Sequence, residues 1–128
     1  MLQDQIFVNM DRLDTEVLIV GAGPAGLSMA IALKGLDPQV QVMILEKGRS
    51  VGNHIWSGAV MDPSGLDELI RNWRERYQDF TEVQSASMYY LTKRYAWSVP
   101  HLPQASHIGG CILSLSQLTR FLAHEPET

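Results

Sequence analysis

Val17-Leu18-Ile19-Val20-Gly21-Ala22-Gly23-Pro24-Ala25-Gly26 is the stretch on which the fold is decided. Four consecutive branched or large apolar residues predict a strand buried on both faces, as in a parallel sheet. Glycines follow at G-x-G-x-x-G spacing. Gly21 suits a sharp turn out of the strand, Gly23 lets backbone approach a pyrophosphate, and Gly26 lets the next helix pack closely on the sheet. Pro24 fits the first helical position, where its missing N–H would have no partner anyway. The free N–H groups of that helix, from Ala25 onward, and its positive end then face phosphate.

The residues downstream supply the context that a lone glycine motif lacks. Leu27, Ala30, Ile31 and Leu33 recur at helical spacing, and Gly35 with Asp37-Pro38 predicts the helix end. A second apolar run, Val40 to Leu45, leads into Glu46 and Lys47. Glu46 lies twenty positions beyond Gly26, close to the roughly 20-residue offset at which an acid meets a ribose hydroxyl in dinucleotide folds. A glycine turn in a core βα unit with a solvated Glu46 would explain these residue types singly but not their joint spacing. A carboxylate accepts hydrogen bonds from ribose hydroxyls and repels a 2′-phosphate, so NADP is disfavoured while FAD and NAD both remain.

Composition narrows the class. At 128 residues the chain has room for one ordinary domain, and 45% apolar with 19% charged residues is globular rather than disordered. A net charge of -4 with no basic stripe argues against nucleic acid as a partner. Cys111 is the only cysteine, which excludes an internal disulfide and any four-thiolate zinc or iron–sulfur site built from this chain alone. It is read as a small buried thiol, and no metal site is expected. The charge-free run from Val17 to Leu33 is broken by glycines and Pro24 and is too short for a comfortable membrane span. Residues 1–14, with Asp4, Asp11 and Asp14 against Arg12, read as an extension that is neither a secretory signal nor an Arg-rich transit peptide. The chain is therefore expected to act where it is made.

Residues 47–63 read as a long loop punctuated by Gly48, Gly52 and Gly58. Its Ile55, Trp56, Ala59, Val60 and Met61 are too apolar for disorder, so the loop is expected to lie against a ligand with Trp56 partly buried. His54 has no evident triad or metal partner in sequence and is read as structural. One helix is predicted from about Leu66 to Tyr77, with Leu66, Leu69, Ile70 and Trp73 inward and with Glu68–Arg71 and Arg71–Glu75 pairs on its solvated face. Residues 87–91 and 95–99 predict a β-hairpin ended by Pro100 and Pro103. Cys111-Ile112-Leu113 predicts a short strand, and Ser114 with Gln117 has capping-box spacing for a last helix with Leu115, Leu118, Phe121 and Leu122 inward.

With Gly21 to Gly26, Leu45-Glu46-Lys47-Gly48 and Gly52-Asn-His-Ile-Trp-Ser-Gly-Ala-Val-Met-Asp-Pro63 in view, the chain resembles the electron-transfer flavoprotein:ubiquinone oxidoreductases from about residue 15 to its end. The G-x-H-x-x-S-G-A-x-x-D-P segment is far more particular than the glycine turn. Trp73, Leu91-Thr92, Val99-Pro100 and the stretch from Ser114 to Leu122 extend the likeness. Asn53, Ile55, Trp56, Gly109-Gly110-Cys111, Ser116 and Phe121 depart from the usual family pattern.

The resemblance implies an α/β fold: a Rossmann-like FAD-binding βαβ unit with an added β-hairpin and helices on an incomplete sheet, residues 15–128 being the N-terminal part of a truncated FAD-binding domain. It implies an enzyme that passes electrons from electron-transfer flavoprotein to ubiquinone with help from a four-iron, four-sulfur cluster whose ligands are absent here. It further implies a peripheral place on a membrane surface, on the cytoplasmic side of a bacterial inner membrane. Gly21, Gly23, Pro24, Ala25 and Gly26 would hold the pyrophosphate, Glu46 with Lys47 the adenosine side, and Ser57 and Gly58 would lie near the flavin; no catalytic residue is assigned. The alternatives are another FAD enzyme of the same architecture, similar to geranylgeranyl reductases, and a non-catalytic dinucleotide-binding fragment. These residues alone are expected to be inactive in quinone reduction.

Overall fold

The computed structural model describes residues 13–56, 58–100 and 107–125. The architecture is mixed α/β with small sheets. Strand β1 (Val17–Val20) runs through the glycine turn into helix α1 (Pro24–Leu36), which returns the chain to strand β2 (Val42–Leu45). The two strands are parallel, in a register that sets Val17 beside Val42 and Val20 beside Leu45. Gly21 N–H extends the ladder to Leu45 O at 2.7 Å, and Val17 N–H closes its other end on Gln41 O at 3.0 Å. α1 runs through Gly35 and stops at Asp37, whose N–H still donates to Leu33 O.

The expected burial of β1 on both faces is corrected. Side chains alternate across a strand, and Ile19 meets α1, where a Cβ on Gly26 would lie 3.1 Å from Ile19 Cγ2. Leu18 and Val20 point the other way and are 52% and 81% exposed. Among the described residues, only the α1 side of this sheet is covered in the way its apolar content anticipates.

The 47–63 stretch is not wholly loop: strand β3 (Ala59–Met61) lies within it. Helices α2 (Ser64–Leu69) and α3 (Trp73–Arg76) and strand β4 (Phe80–Glu82) follow. The hairpin appears as predicted, as β5 (Met88–Leu91) and β6 (Ala96–Val99), its turn closed by Thr92 and Tyr95. Tyr90 and Trp97 stack across it. Pro103 lies outside the described residues. The predicted strand at Cys111 is β7 (Cys111–Leu113), the centre of an antiparallel sheet ordered β3-β7-β4. Helix α4 (Leu115–Ala123) is the last element among the described residues, with Gln117 N–H donating to the Ser114 hydroxyl as the capping spacing required.

The single helix predicted over 66–77 is two helices. Asn72 takes the left-handed conformation at φ 58, which an asparagine tolerates far better than a branched residue. The break changes which charges meet: the expected pairs on Arg71 give way to a two-pronged bond from Arg74 to Asp67, whose Oδ1 also accepts Trp73 Nε1–H at 2.7 Å. Leu66, Ile70 and Trp73 still face inward. Trp73 is 1% exposed and sits in the core with Tyr77, Cys111, Leu113, Leu118 and Leu122. Its ring lies 5.1 Å from that of Phe80 and carries the Arg74 guanidinium above it. This core positions the site by carrying α4, which packs against α1.

Candidate dinucleotide site

The glycines have distinct physical roles. Gly21 sits at φ +105, a conformation side chains disfavour, as the chain leaves the strand. A Cβ on Gly26 would fall 2.1 Å from Gly21 O, so helix and turn approach as closely as only glycine permits. Gly23 caps α1 in extended backbone, and a Cβ there would meet nothing within 4 Å. The space in front of Gly23 is thus open. No acidic side chain stands in the first turn of α1. The N–H groups at the start of a helix have no intrahelical acceptor, so the turn offers backbone donors and a positive dipole end to an anion.

Glu46 completes the arrangement from the end of β2. Its Oε2 accepts Ala22 N–H at 2.8 Å and its Oε1 accepts Gly48 N–H at 2.6 Å. These bonds, Gly48 first and Ala22 second, hold the carboxyl below its ordinary pKa, helped by the charges of His54 and Lys47. A carboxylate has roughly four lone-pair directions. Two are used by backbone, which leaves acceptor capacity facing solvent beside the turn.

Sequence reasoning placed Gly21, Gly23, Pro24, Ala25, Gly26 and Glu46 at one site, and the structure brings them together. Lys47 follows directly and is exposed. Gly58 lies at φ +92 just ahead of β3, and Ser57 lies outside the described residues. The expectation for Trp56 is corrected: it is 94% exposed. The turn closed by Ile55 N–H on Gly52 O half-buries Ile55 instead and leaves the next side chain in solvent. His54 lies beside the Glu46–Gly48 turn, where a Cβ on Gly48 would lie 3.1 Å from its Nδ1.

Sequence reasoning missed Ala22 as Glu46's partner, although its place between two glycines was a signal. It also missed Gly52, a buried glycine at φ +81, and its partner Ser116 on α4. A cleft of about 320 Å³, lined by Asp62, Ser64, Asp67, His107 and Gly109 among others, contains no residue of the glycine turn. Its Asp67 is already engaged by Trp73 and Arg74. Among the described residues no group of three or more His, Cys, Asp or Glu side chains is arranged to hold a metal ion. Nor is any described helix long and apolar enough to cross a membrane.

Comparison with known proteins adds sequence context to this geometry. The family model described as "Lycopene cyclase protein" matches residues 16–96, from the first strand through the hairpin turn. The chain is 42% identical to the mitochondrial electron transfer flavoprotein-ubiquinone oxidoreductase of Dictyostelium discoideum, over 88% of this chain and 20% of that protein. It is 36% identical to the human mitochondrial protein of that name over 94% of this chain and 21% of that protein. With a probable electron transfer flavoprotein-ubiquinone oxidoreductase of Acinetobacter baylyi it shares 33% identity, over 95% of this chain and 23% of that protein. The chain spans about a fifth of the length of these curated relatives.

Proposed function

The chain belongs to the family that the lycopene cyclase protein model describes and resembles the electron transfer flavoprotein-ubiquinone oxidoreductases along most of its length, and from this we propose that it forms part of the FAD-binding domain of an oxidoreductase passing electrons from electron-transfer flavoprotein to ubiquinone. Residues 15–128 are assigned to that domain and 1–14 to an extension preceding it. The observation that carries the reading is the Glu46–Ala22 bond. It joins the acid after β2 to the glycine turn after β1, at the open end of α1, which is the juxtaposition that a dinucleotide with one pyrophosphate and one ribose requires.

The residues present fit FAD. Gly21 supports the turn, Gly23 leaves the approach to the helix end clear, and Gly26 brings the helix against the strand. Pro24 presets the first helical turn, and Ala25 and Gly26 offer N–H groups to phosphate. Glu46 accepts from the adenosine ribose with the lone pairs that Ala22 and Gly48 leave free, and Lys47 adds positive charge alongside. Ser57 and Gly58 are assigned to the flavin side. FAD supplies the redox chemistry when bound; the chain's own residues bind and orient it. The relatives' names support electron-transfer flavoprotein and ubiquinone as partners; a peripheral place for the whole protein on the cytoplasmic side of a bacterial inner membrane is proposed from the family resemblance alone. An iron–sulfur cluster would need more thiolates than Cys111, the single cysteine of this sequence, supplies.

Titration of FAD into the full-length protein and its Gly23→Val variant tests the reading. Loss of binding in a variant that keeps its thermal midpoint is expected, because a branched side chain then fills the approach to the helix end. Stoichiometric flavin on the variant would overturn the assigned pyrophosphate position. The family-model match favours a second reading, another FAD-dependent enzyme of the same architecture. Reduction of bound flavin by reduced electron-transfer flavoprotein separates the two, since only the first requires it.

A further inference from the structure

We propose that Ser116 is a positioning residue for the cofactor loop, latching Val51–Gly52 onto α4 so that the segment beginning at Glu46 is held against the glycine turn; this rests on the dinucleotide reading above. Ser116 Oγ donates to Gly52 O at 2.8 Å across 64 residues of sequence. One turn further along the same helix face, Arg120 Nε–H donates to Val51 O at 3.4 Å. Gly52 is buried at φ +81, and a Cβ on it would lie 2.8 Å from the Ser116 backbone oxygen. The loop therefore approaches α4 as closely as glycine allows, and the hydroxyl gives the Gly52 carbonyl a second, shorter bond beside the one from Ile55 N–H.

The other end of the segment is fixed as well, by Gly48 N–H on Glu46 Oε1. Residues 46–52 are thus tied at both ends, with Glu46 at one and Ser116 at the other. α4 is a suitable anchor: Leu118, Thr119 and Leu122 are buried, and the helix packs on α1, whose first turn is the phosphate side of the site. Both halves of the dinucleotide site consequently take their position from one helix. Without the latch, the loop samples more conformations and the Glu46 carboxylate is presented to ribose less of the time, which weakens binding by the lost pre-organisation.

Amide hydrogen exchange and FAD titration on the full-length protein test this in Ser116→Ala, Ser116→Thr and Gly52→Ala. Without flavin, Ser116→Ala is expected to speed exchange at Gly48, Asn53 and Ile55 while the Leu118 and Leu122 amides of α4 stay protected. Its FAD Kd is expected to rise roughly three- to tenfold, the scale of one hydrogen bond. Ser116→Thr, which keeps the hydroxyl, restores both readouts, and Gly52→Ala loosens the loop as Ser116→Ala does. Unchanged loop exchange in both Ser116→Ala and Gly52→Ala overturns the latch. Loss of α4 protection in Ser116→Ala overturns it too, in favour of a role in folding. Loop exchange that responds as described in a wild-type protein unable to bind FAD would support the latch and sink the cofactor reading instead.

Discussion

Glu46 Oε2 lies 2.8 Å from Ala22 N, joining two residues 24 apart in sequence at the mouth of the glycine turn. The contact accounts for the acid's position more fully than spacing does. A carboxylate there orders the turn through the Ala22 and Gly48 N–H groups and keeps further acceptor capacity on its exposed side. Glu46→Gln keeps one oxygen but loses the charge that strengthens both backbone bonds. We expect FAD affinity to fall roughly tenfold in the full-length protein, measured by fluorescence titration. Equal affinities would remove Glu46 from the site.

The same carboxylate confers a pH dependence with a definite sign. Its folded pKa is depressed by the Gly48 and Ala22 N–H groups, so the folded state binds fewer protons than the unfolded one wherever the two differ. The stabilisation is complete above the unfolded value, about 4.3, and is lost as pH falls through the lower folded value. Exchange of the Gly48 and Ala22 amides should therefore lose protection on acidification below about pH 4.3, as pH falls through the lowered folded value, and Glu46→Gln should abolish that dependence. Amide exchange across this range, with the intrinsic rate change divided out, is the measurement. An unchanged profile in Glu46→Gln would assign the effect to another carboxylate; Asp67, whose pKa Arg74 and Trp73 lower, is the first to examine.

The glycine turn separates stability from binding. Gly26→Ala places a Cβ 2.1 Å from Gly21 O, so strand and helix must part, with a loss of about 1–3 kcal/mol. Gly21→Ala forces a side chain into φ +105 at a similar cost of about 1–3 kcal/mol. Gly23→Ala meets open space at φ -79, so chemical denaturation should find its stability near wild type while FAD titration finds weaker binding. Equal destabilisation by all of them would contradict the division of roles.

How far the sequence was legible follows from the range of the forces involved. The βαβ order, the hairpin and the Ser114 cap were readable because each depends on neighbours: an apolar run, a glycine, a capping hydroxyl three residues from an amide. β3 and β4 were not, because each is held by its pairing with β7 rather than marked by a long apolar run of its own. The closeness of Glu46 to the glycine turn was visible through spacing, whereas the Ser116–Gly52 bond depends on how α4 docks and leaves no local mark. Burial of Trp56 was misread because an apolar residue was assumed to be covered, although exposed apolar surface is common on folded proteins.

The break at Asn72 shows why a helical stripe did not produce one helix, and it makes the last prediction. Leu66, Ile70 and Trp73 are all buried, and their spacing suits an unbroken helix. Yet Ile70 is already extended, its N–H ending α2 on Leu66 O, and the chain restarts at Trp73 only after the left-handed Asn72. The restart brings Arg74 and the Trp73 indole onto Asp67 and sets the Trp73 ring 5.1 Å from Phe80. Asn72→Gly, free at φ 58, should change stability by less than about 0.5 kcal/mol. Asn72→Val should cost about 1–2 kcal/mol, because its branched side chain opposes that conformation. Trp73→Ala should cost about 3–5 kcal/mol by emptying the core. Urea denaturation of the full-length protein, followed at the transition that includes this segment, gives all three. If Asn72→Val were as stable as Asn72→Gly, the chain would be continuing as one helix through this point and the Asp67 cluster would not form as described.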